Sequence, residues 1–255
     1  MTRDTVSVVI PVFNARPFIR EALDSVYLQR SPGLSVEIIA VDDGSTDDSR
    51  ELLKEWSASH GDMDLRVLSH ESPKGPALAR NAGVKSASGR YIAYLDSDDL
   101  WLPEKLKTQV SFMKDTGTAF SFTSYEFGDE RGKGTGRIVR APGEIDYGKA
   151  LTRTVIFTST VVLDRELIDE KLLMMEDVPS EDTAEWWKLL KSGVRAGGID
   201  RVFSIYRRNS GSLSANQIRA CGRIWNLYRR VEGLSFVRSA FCFVQWAARA
   251  TLRRI

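Results

Sequence analysis

With 255 residues, 42% of them apolar and 27% charged, the chain has room for one large domain, or one domain with an appendage, and the composition of an ordinary soluble globular protein. Its two cysteines, Cys221 and Cys242, have no metal-ligand spacing and make no disulfide framework, which excludes a cysteine-stapled fold and leaves a reducing cytosolic setting as the default. The net charge of +2 is uneven: Ala215 to Ile255 holds eight Arg, no Lys and one Glu, so this tail carries +7 and the body −5, and any anionic surface or nucleic acid is a partner for the tail, not the body.

The chain reads as opening on a strand after a few polar residues, and no signal peptide is expected. Val6-Ser7-Val8-Val9-Ile10 is a near-continuous apolar run, the pattern of a strand buried on both faces, and Pro11 ends it. A helix follows, with Phe18, Ala22, Leu23 and Val26 on one face and Pro17 near its first turn. After a break at Ser31-Pro32-Gly33, Val36 to Val41 forms a second strand that ends in Asp42-Asp43. Gly44-Ser45-Thr46-Asp47 then turns into a helix containing Leu52, Leu53 and Trp56. Leu65 to Leu68 is a short third strand. Ala77 to Ser86 is a helix of small residues that can pack closely on a sheet, and a fourth strand from Tyr91 runs into Asp96-Ser97-Asp98-Asp99. This alternation predicts an α/β fold with an open, mostly parallel sheet, whose ligands bind at the carboxyl ends of the strands. The second half is less regular. It reads as a helix from Pro103 to Lys114, a strand from Thr118 to Phe127, a charged turn from Gly128 to Gly136 and a strand at Arg137-Ile138-Val139. A further strand spans Ser159 to Leu163, a helix capped by Ser180 spans Glu181 to Lys191, a late strand spans Val202 to Arg207, and helix follows Ser214.

Three carboxylates within four residues at a buried strand end repel one another and need a cation or a network of donors. Asp96 and Asp98 suit a hard divalent cation that carries a phosphorylated ligand. The alternative is that these acids cap the following helix, a role that suits Asp99. Asp43 can accept the imide N–H of a uracil and Phe13 can stack on a base, although a plain surface turn also accounts for Asp42 to Ser45. No glycine-rich Rossmann or P-loop signature is present, so a nucleotide would be held by side chains and metal. Lys74 and Arg80 face either a phosphate or the acids. Glu181-Asp182, at a helix start, is either simple charge complementarity or a general base that deprotonates an attacking hydroxyl. Trp186, one turn on, can pack on a sugar ring, while Trp187 serves the core. The segment from Tyr206 to Ser214 offers a guanidinium and hydroxyls for a phosphate, or is a solvated connector.

In combination and in this order, Val6 to Asn14, Asp42-Asp43-Gly44-Ser45-Thr46-Asp47, Ala79-Arg80-Asn81-Ala82-Gly83, Gly89-Arg90-Tyr91-Ile92, Leu95-Asp96-Ser97-Asp98-Asp99 and Glu181-Asp182 resemble the family-2 glycosyltransferases, over roughly Val6 to Ser214. The resemblance implies the GT-A fold, an α/β architecture with an open, mixed, mostly parallel sheet flanked by helices, here with a C-terminal helical appendage. It implies a catalytic domain over 1–214, split into a nucleotide-binding half near 1–100 and an acceptor-binding half near 101–214, and then a basic amphipathic tail over 215–255. The implied reaction is an inverting transfer from a nucleotide sugar, usually a UDP sugar, to a hydroxyl of a glycan or polyprenyl-diphosphate-linked glycan. Donor-binding residues would be Pro11, Phe13, Asn14, Asp43, Lys74, Arg80, Asp96, Ser97, Arg207 and Ser212. Asp98, with Asp96, would hold Mn2+ or Mg2+, Asp182 would be the base, and Glu181 and Trp186 would meet the acceptor. Ser159-Thr160-Val161-Val162 and Glu181 to Trp186 look closest to the subgroup that builds bacterial cell-surface polysaccharides, such as teichuronic-acid enzymes. One departure stands out. Some members use a late His as a further metal ligand, but the His here are His60 and His70, so diphosphate and water would complete the metal shell.

In the tail, aromatic and apolar residues interleave with Arg. The charge-free stretch between Arg238 and Arg249 falls far short of the roughly 20 residues that span a bilayer. A basic amphipathic helix lying on an anionic membrane surface fits, which would place the protein in the cytoplasm, peripheral on the inner face of the cell membrane. The alternatives are packing on the catalytic domain or a homo-oligomer contact with a second subunit. Nucleic acid is not an expected partner. Two other functions compete. A sugar-phosphate nucleotidyltransferase needs a Gly-rich basic N-terminal loop, which Pro11 to Arg16 is not. A non-catalytic scaffold on the same fold is disfavoured by intact Asp96, Asp98 and Asp182.

Overall fold

Val6, Val8, Ile10 and Val12 point to one side of the first strand and Val9 to the other, and all are buried. The apolar run is therefore a strand with cores on both faces, as its lack of alternation predicts. The computed structural model describes residues 4–208 and 217–252. Its first half alternates β1 (Asp4–Val12), α1 (Ile19–Tyr27), β2 (Leu34–Asp42), α2 (Ser49–Ser59), β3 (Asp64–Ser69), α3 (Pro76–Ser86) and β4 (Tyr91–Tyr94). The second half adds β5 (Leu100–Trp101), α4 (Lys105–Thr116), β6 (Phe120–Gly128), β7 (Gly134–Val139), β8 (Glu144–Ile145), α5 (Tyr147–Leu151), β9 (Val162–Asp164), α6 (Glu181–Lys191) and β10 (Ala196–Arg207). Among the described residues ten strands form one mixed sheet in the order β3-β2-β1-β4-β9-β6-β10-β5, with β7 on β6 and β8 on β10.

β1 pairs parallel with both β2 and β4, and β2 with β3, so their carboxyl ends share one rim. β9 is antiparallel to β4 and to β6, and it splices the first half to the second. On one face α1 buries Ile19, Ala22, Leu23 and Val26, each large aliphatic side chain contributing about 1.5–3 kcal/mol. On the other, α3 approaches so closely that a Cβ on Gly83 would strike Val9, which is why this helix is built of small residues.

Three expectations about elements change. The strand expected from Ser159 to Leu163 is a 3-10 turn over Thr158–Thr160 followed by the short β9. The β-branched composition suggested a strand, but the Thr160 hydroxyl donates to the Phe157 carbonyl (2.6 Å) and closes a local turn instead. Ser180 does not cap α6 through its side chain; it sits in the left-handed region (φ 64°). The late strand begins at Ala196 rather than Val202, with register shifts between Ile199 and Ser204.

The tail folds back on the body. It contains α7 (Gln217–Asn226), a π-helical turn (Leu227–Val231) and α8 (Phe236–Leu252). Tyr228 stacks on Trp187 with ring centroids 5.2 Å apart, Trp246 Nε1 donates to Thr154 (3.1 Å), and Lys191 pairs with Glu232 (3.0 Å). Ile224, Leu227, Leu234 and Cys242 join the same core as the sheet. Among the described residues, no helix is long and apolar enough to cross a membrane.

Candidate active site

The rim at the ends of β1, β2 and β4 is assembled from loops that hold one another. Gly44, at φ 72°, turns the chain after Asp42-Asp43, and a Cβ there would lie 2.9 Å from the Ser72–Pro73 backbone. Asn14, also left-handed, accepts from Thr46 N (2.8 Å), while its own N–H donates to Ser45 Oγ (3.0 Å). Asn14 therefore ties the loop after β1 to the loop after β2. Pro11 lies within β1 opposite Val41. Phe13, next to them, is 51% exposed and offers its ring at the rim. Asp42 is buried and spent on Arg50 (2.5 Å) and Ser45 N (3.2 Å). Asp43 is buried too: one oxygen accepts from His70 Nδ1 (2.6 Å) and Lys74 N (2.9 Å), the other from Gly75 N (2.7 Å). The Lys74 N–H also reaches that second oxygen (3.1 Å), so each Asp43 oxygen already accepts two hydrogen bonds and the carboxylate fixes the loop after β3 to the end of β2. Lys74 gives its backbone to Asp43, and its side chain is exposed.

After β4 the acids form a tight turn in which Asp99 N donates to the Asp96 carbonyl (3.0 Å). Asp99 is 1% exposed, accepting from Ser159 Oγ (2.6 Å) and Arg207 N (3.1 Å). Burial, reinforced by Asp98 and Asp96, pushes its carboxyl well above the usual range. Asp99 is thus structural, as expected, but it pins loops together and does not cap α4. Asp96 and Ser97 are half-buried, and Asp96 N donates to Ser159 Oγ (3.1 Å). Asp96 and Asp98 are hard oxygen donors one residue apart, a set that fits a divalent cation taking few carboxylates and filling its shell with phosphate oxygens and water. Among the described residues no group of three or more His, Cys, Asp or Glu converges.

Arg80 settles the choice left open between phosphate and acids. Its buried guanidinium donates to Asp96 (2.6 Å) and to Glu181 (2.7 Å), bringing the donor-side turn to the start of α6. Burial works against its charge, but Asp96 and Glu181, with Asp182 adding, more than offset this and hold the guanidinium cationic. Burial, and then the charge of Asp182, raises the Glu181 carboxyl despite Arg80. Asp182 Oδ1 accepts from Thr183 N (2.6 Å) and Oδ2 from the Thr158 hydroxyl (3.1 Å).

Two further expectations fall differently. Arg207 is buried, and its guanidinium is spent on the Asp98 carbonyl (2.8 Å), the Glu130 carbonyl (3.1 Å) and Glu21 (2.5 Å). It clamps the acidic turn to α1 and does not face a diphosphate. Trp186 is 2% exposed and packs against Phe120 (5.4 Å) and Tyr94 (5.9 Å), so it is a core residue like Trp187. Its place one turn after Asp182 put it on the inner face of α6. Ser212 lies outside the described residues. Sequence reasoning missed His70, Thr158 and Ser159. Two signals were available for the last two: the resemblance carried by Ser159-Thr160-Val161-Val162, and three successive hydroxyls, Thr158-Ser159-Thr160, where a strand would alternate with apolar residues.

Comparison with known proteins follows the same outline. The model of the family described as glycosyl transferase family 2 matches residues 7–168. TuaG of Bacillus subtilis, a glycosyltransferase assigned to teichuronic acid biosynthesis, is 38% identical over 98% of this chain and 97% of its own length. WfaP of Escherichia coli, named as a UDP-Glc:alpha-D-GlcNAc-diphosphoundecaprenol beta-1,3-glucosyltransferase, is 31% identical over 98% of this chain and 95% of its own. Among solved structures, Staphylococcus aureus TarS with UDP-GlcNAc superposes with a TM-score of 0.71 at 19% identity, covering 95% of this chain and 71% of TarS. The Pyrobaculum calidifontis mannosyltransferase PcManGT with GDP-Man and Mn2+ gives 0.72 at 21% identity, covering 97% and 74%. These two likenesses establish the GT-A fold.

Proposed function

The chain belongs to glycosyl transferase family 2, and we propose that it moves a sugar from a UDP sugar, with inversion, onto a hydroxyl of a glycan or polyprenyl-diphosphate-linked glycan in bacterial surface-polysaccharide synthesis. The UDP-sugar and lipid-linked partners of WfaP and the teichuronic-acid assignment of TuaG support this choice of substrates. One observation of the structure carries the reading: Arg80 bridges Asp96 and Glu181, and so joins the donor-side acids to the start of α6.

Phe13 stacks on the base at that rim, and Asp43 takes an imide N–H in place of the longer, 3.1 Å branch from Lys74 N. Lys74, exposed beside Asp43, meets the diphosphate. Asp182 accepts the proton of the acceptor hydroxyl. The hydroxyl oxygen forms the new bond to the anomeric carbon from the face opposite the nucleotide, while the bond to the diphosphate oxygen breaks and its electron pair leaves with UDP. Asp98, with Asp96, would hold Mg2+ or Mn2+, which when bound offsets charge on the leaving diphosphate; the Mn2+ of PcManGT supports this. Glu181, pinned by Arg80, lies beside the acceptor path.

The tail fits a peripheral place on the cytoplasmic face of an anionic membrane. One face of α8 is packed inward through Ser239, Cys242 and Trp246, while Val237, Phe241 and Val244 on the other face are 78%, 63% and 66% exposed, flanked by Arg238 and Arg249. Apolar side chains between cations match the headgroup boundary.

Asp182→Asn tests the reaction. Turnover is expected to fall by at least about a hundredfold, within the range of general-base catalysis, with UDP-sugar affinity kept. UDP, not pyrophosphate, is the expected product, with inverted anomeric configuration by NMR. Near-normal turnover rejects Asp182 as the base, and retained configuration rejects a single displacement.

A further inference from the structure

The 3-10 turn Thr158–Thr160 touches both the acidic turn after β4 and the start of α6. All three residues are buried. The Ser159 hydroxyl donates to Asp99 Oδ2 (2.6 Å) and accepts from Asp96 N (3.1 Å), so both of its hydrogen-bonding directions are spent on the acidic turn after β4. The neighbouring Thr158 hydroxyl donates to Asp182 Oδ2 (3.1 Å) at the start of α6. The turn itself is held firmly. The Ser159 carbonyl accepts from Trp101 Nε1 (2.6 Å) and Ser204 Oγ (3.0 Å), and the Thr160 carbonyl accepts from Gln109 Nε2 (3.0 Å). Those donors come from β5, β10 and α4, so a shift of the turn would strain three elements at once.

We propose that Thr158 and Ser159 are positioning residues of the transfer: Thr158 orients the proton-accepting carboxylate, Ser159 orients the donor-side acids, and their adjacency sets the spacing between the two. This rests on Asp182 being the base. Among the described residues, Oδ1 of Asp182 takes Thr183 N (2.6 Å) and Thr183 Oγ1 (3.3 Å), while Oδ2 takes Thr158 alone. With about two acceptor positions per carboxylate oxygen, Oδ2 keeps one for the acceptor proton. Holding the carboxylate between a backbone N–H and a buried hydroxyl removes its rotation about χ2, and misplacement of a base by about 1 Å costs on the order of a hundredfold in rate.

The two roles separate experimentally. Thr158→Val, which keeps the shape and loses the donor, is expected to lower kcat by about 10- to 100-fold, the worth of a hydrogen bond to a charged group, while the Kd for UDP-sugar by calorimetry stays within about twofold. Thr158→Ser, which restores the hydroxyl, is expected to recover kcat to within about threefold of the parent. Ser159→Ala is expected to weaken UDP-sugar binding by about tenfold, because the acidic turn loses its anchor. Unchanged donor affinity in the Thr158 variant shows that the fold survives; if Val is not tolerated, Thr158→Ala makes the same comparison. Asp182→Asn is measured alongside. If it abolishes turnover while Thr158→Val leaves kcat unchanged, or Thr158→Ser fails to rescue, the positioning role is overturned with the base assignment intact. If Asp182→Asn keeps turnover, the base assignment falls and takes this proposal with it.

Discussion

Replacing Arg80 with Gln removes the cation that joins Asp96 to Glu181. Breaking a buried ion pair costs about 3–5 kcal/mol, because the partner is left charged and unpaired. The two carboxylate side chains keep 26% and 16% of their surface, so water replaces part of the lost interaction, and the low end, about 3 kcal/mol, is expected. For a chain of this size that lowers the melting temperature by roughly 6–12 °C. The loss has a pH signature. The Glu181 carboxyl is already raised, by burial first and then by Asp182, and without Arg80 it rises further. A raised acid destabilises the fold in its charged form, so the deficit is full above its folded pKa and shrinks as pH falls through it. Urea unfolding of parent and variant at about pH 8 and about pH 5 reads both effects, with the deficit smaller at the acidic value. Arg80→Lys keeps the charge but cannot fork to two carboxylates, and is expected to recover only part of the loss. A loss below about 1 kcal/mol, or one equal at both pH values, would refute the view that this guanidinium holds the two acids.

Phe13→Ala is expected to weaken UDP binding by about 1–3 kcal/mol, the worth of a base on an aromatic ring, with little change in melting temperature; calorimetry with UDP checks it. Glu185, buried on α6 beside Lys188 at 2.7 Å, has its carboxyl pushed by burial up to about 7. Stability should therefore fall, by up to about 2 kcal/mol, as pH rises from about 5.5 to 8, and Glu185→Gln should flatten that dependence in urea unfolding. The triple change Val237→Asp, Phe241→Asp and Val244→Asp is expected to abolish flotation with phosphatidylglycerol vesicles, which the parent should show and lose progressively at high salt. A parent that ignores vesicles but sediments as a dimer would assign the same stripe to a second subunit.

Much of this architecture was legible because its signals are local. The run Val6 to Ile10 declared a doubly buried strand without reference to anything distant, and the small residues of α3 announced close packing that Gly83 against Val9 realises. Acids falling at strand ends pointed to the rim where the ends of β1, β2 and β4 meet. Errors arose where a side chain had two local options or a distant partner. Thr158-Ser159-Thr160 has strand composition but closes a turn with its own hydroxyls, and the tail's amphipathic pattern did not say that Trp187 would be waiting for Tyr228.

Periodicity and turn chemistry, acting over a few residues, determined by themselves that the chain is a mostly parallel α/β sheet with carboxylates gathered at one edge. Which cation meets which anion was decided only in three dimensions. The sequence left Arg80 between a phosphate and the acids and Arg207 between a phosphate and a solvated connector; in the fold Arg80 finds Asp96 and Glu181, and Arg207 finds Glu21 and two backbone carbonyls. Pairing energy depends on distance and burial, and both are properties of the packed sheet, set by residues up to 186 positions away along the chain.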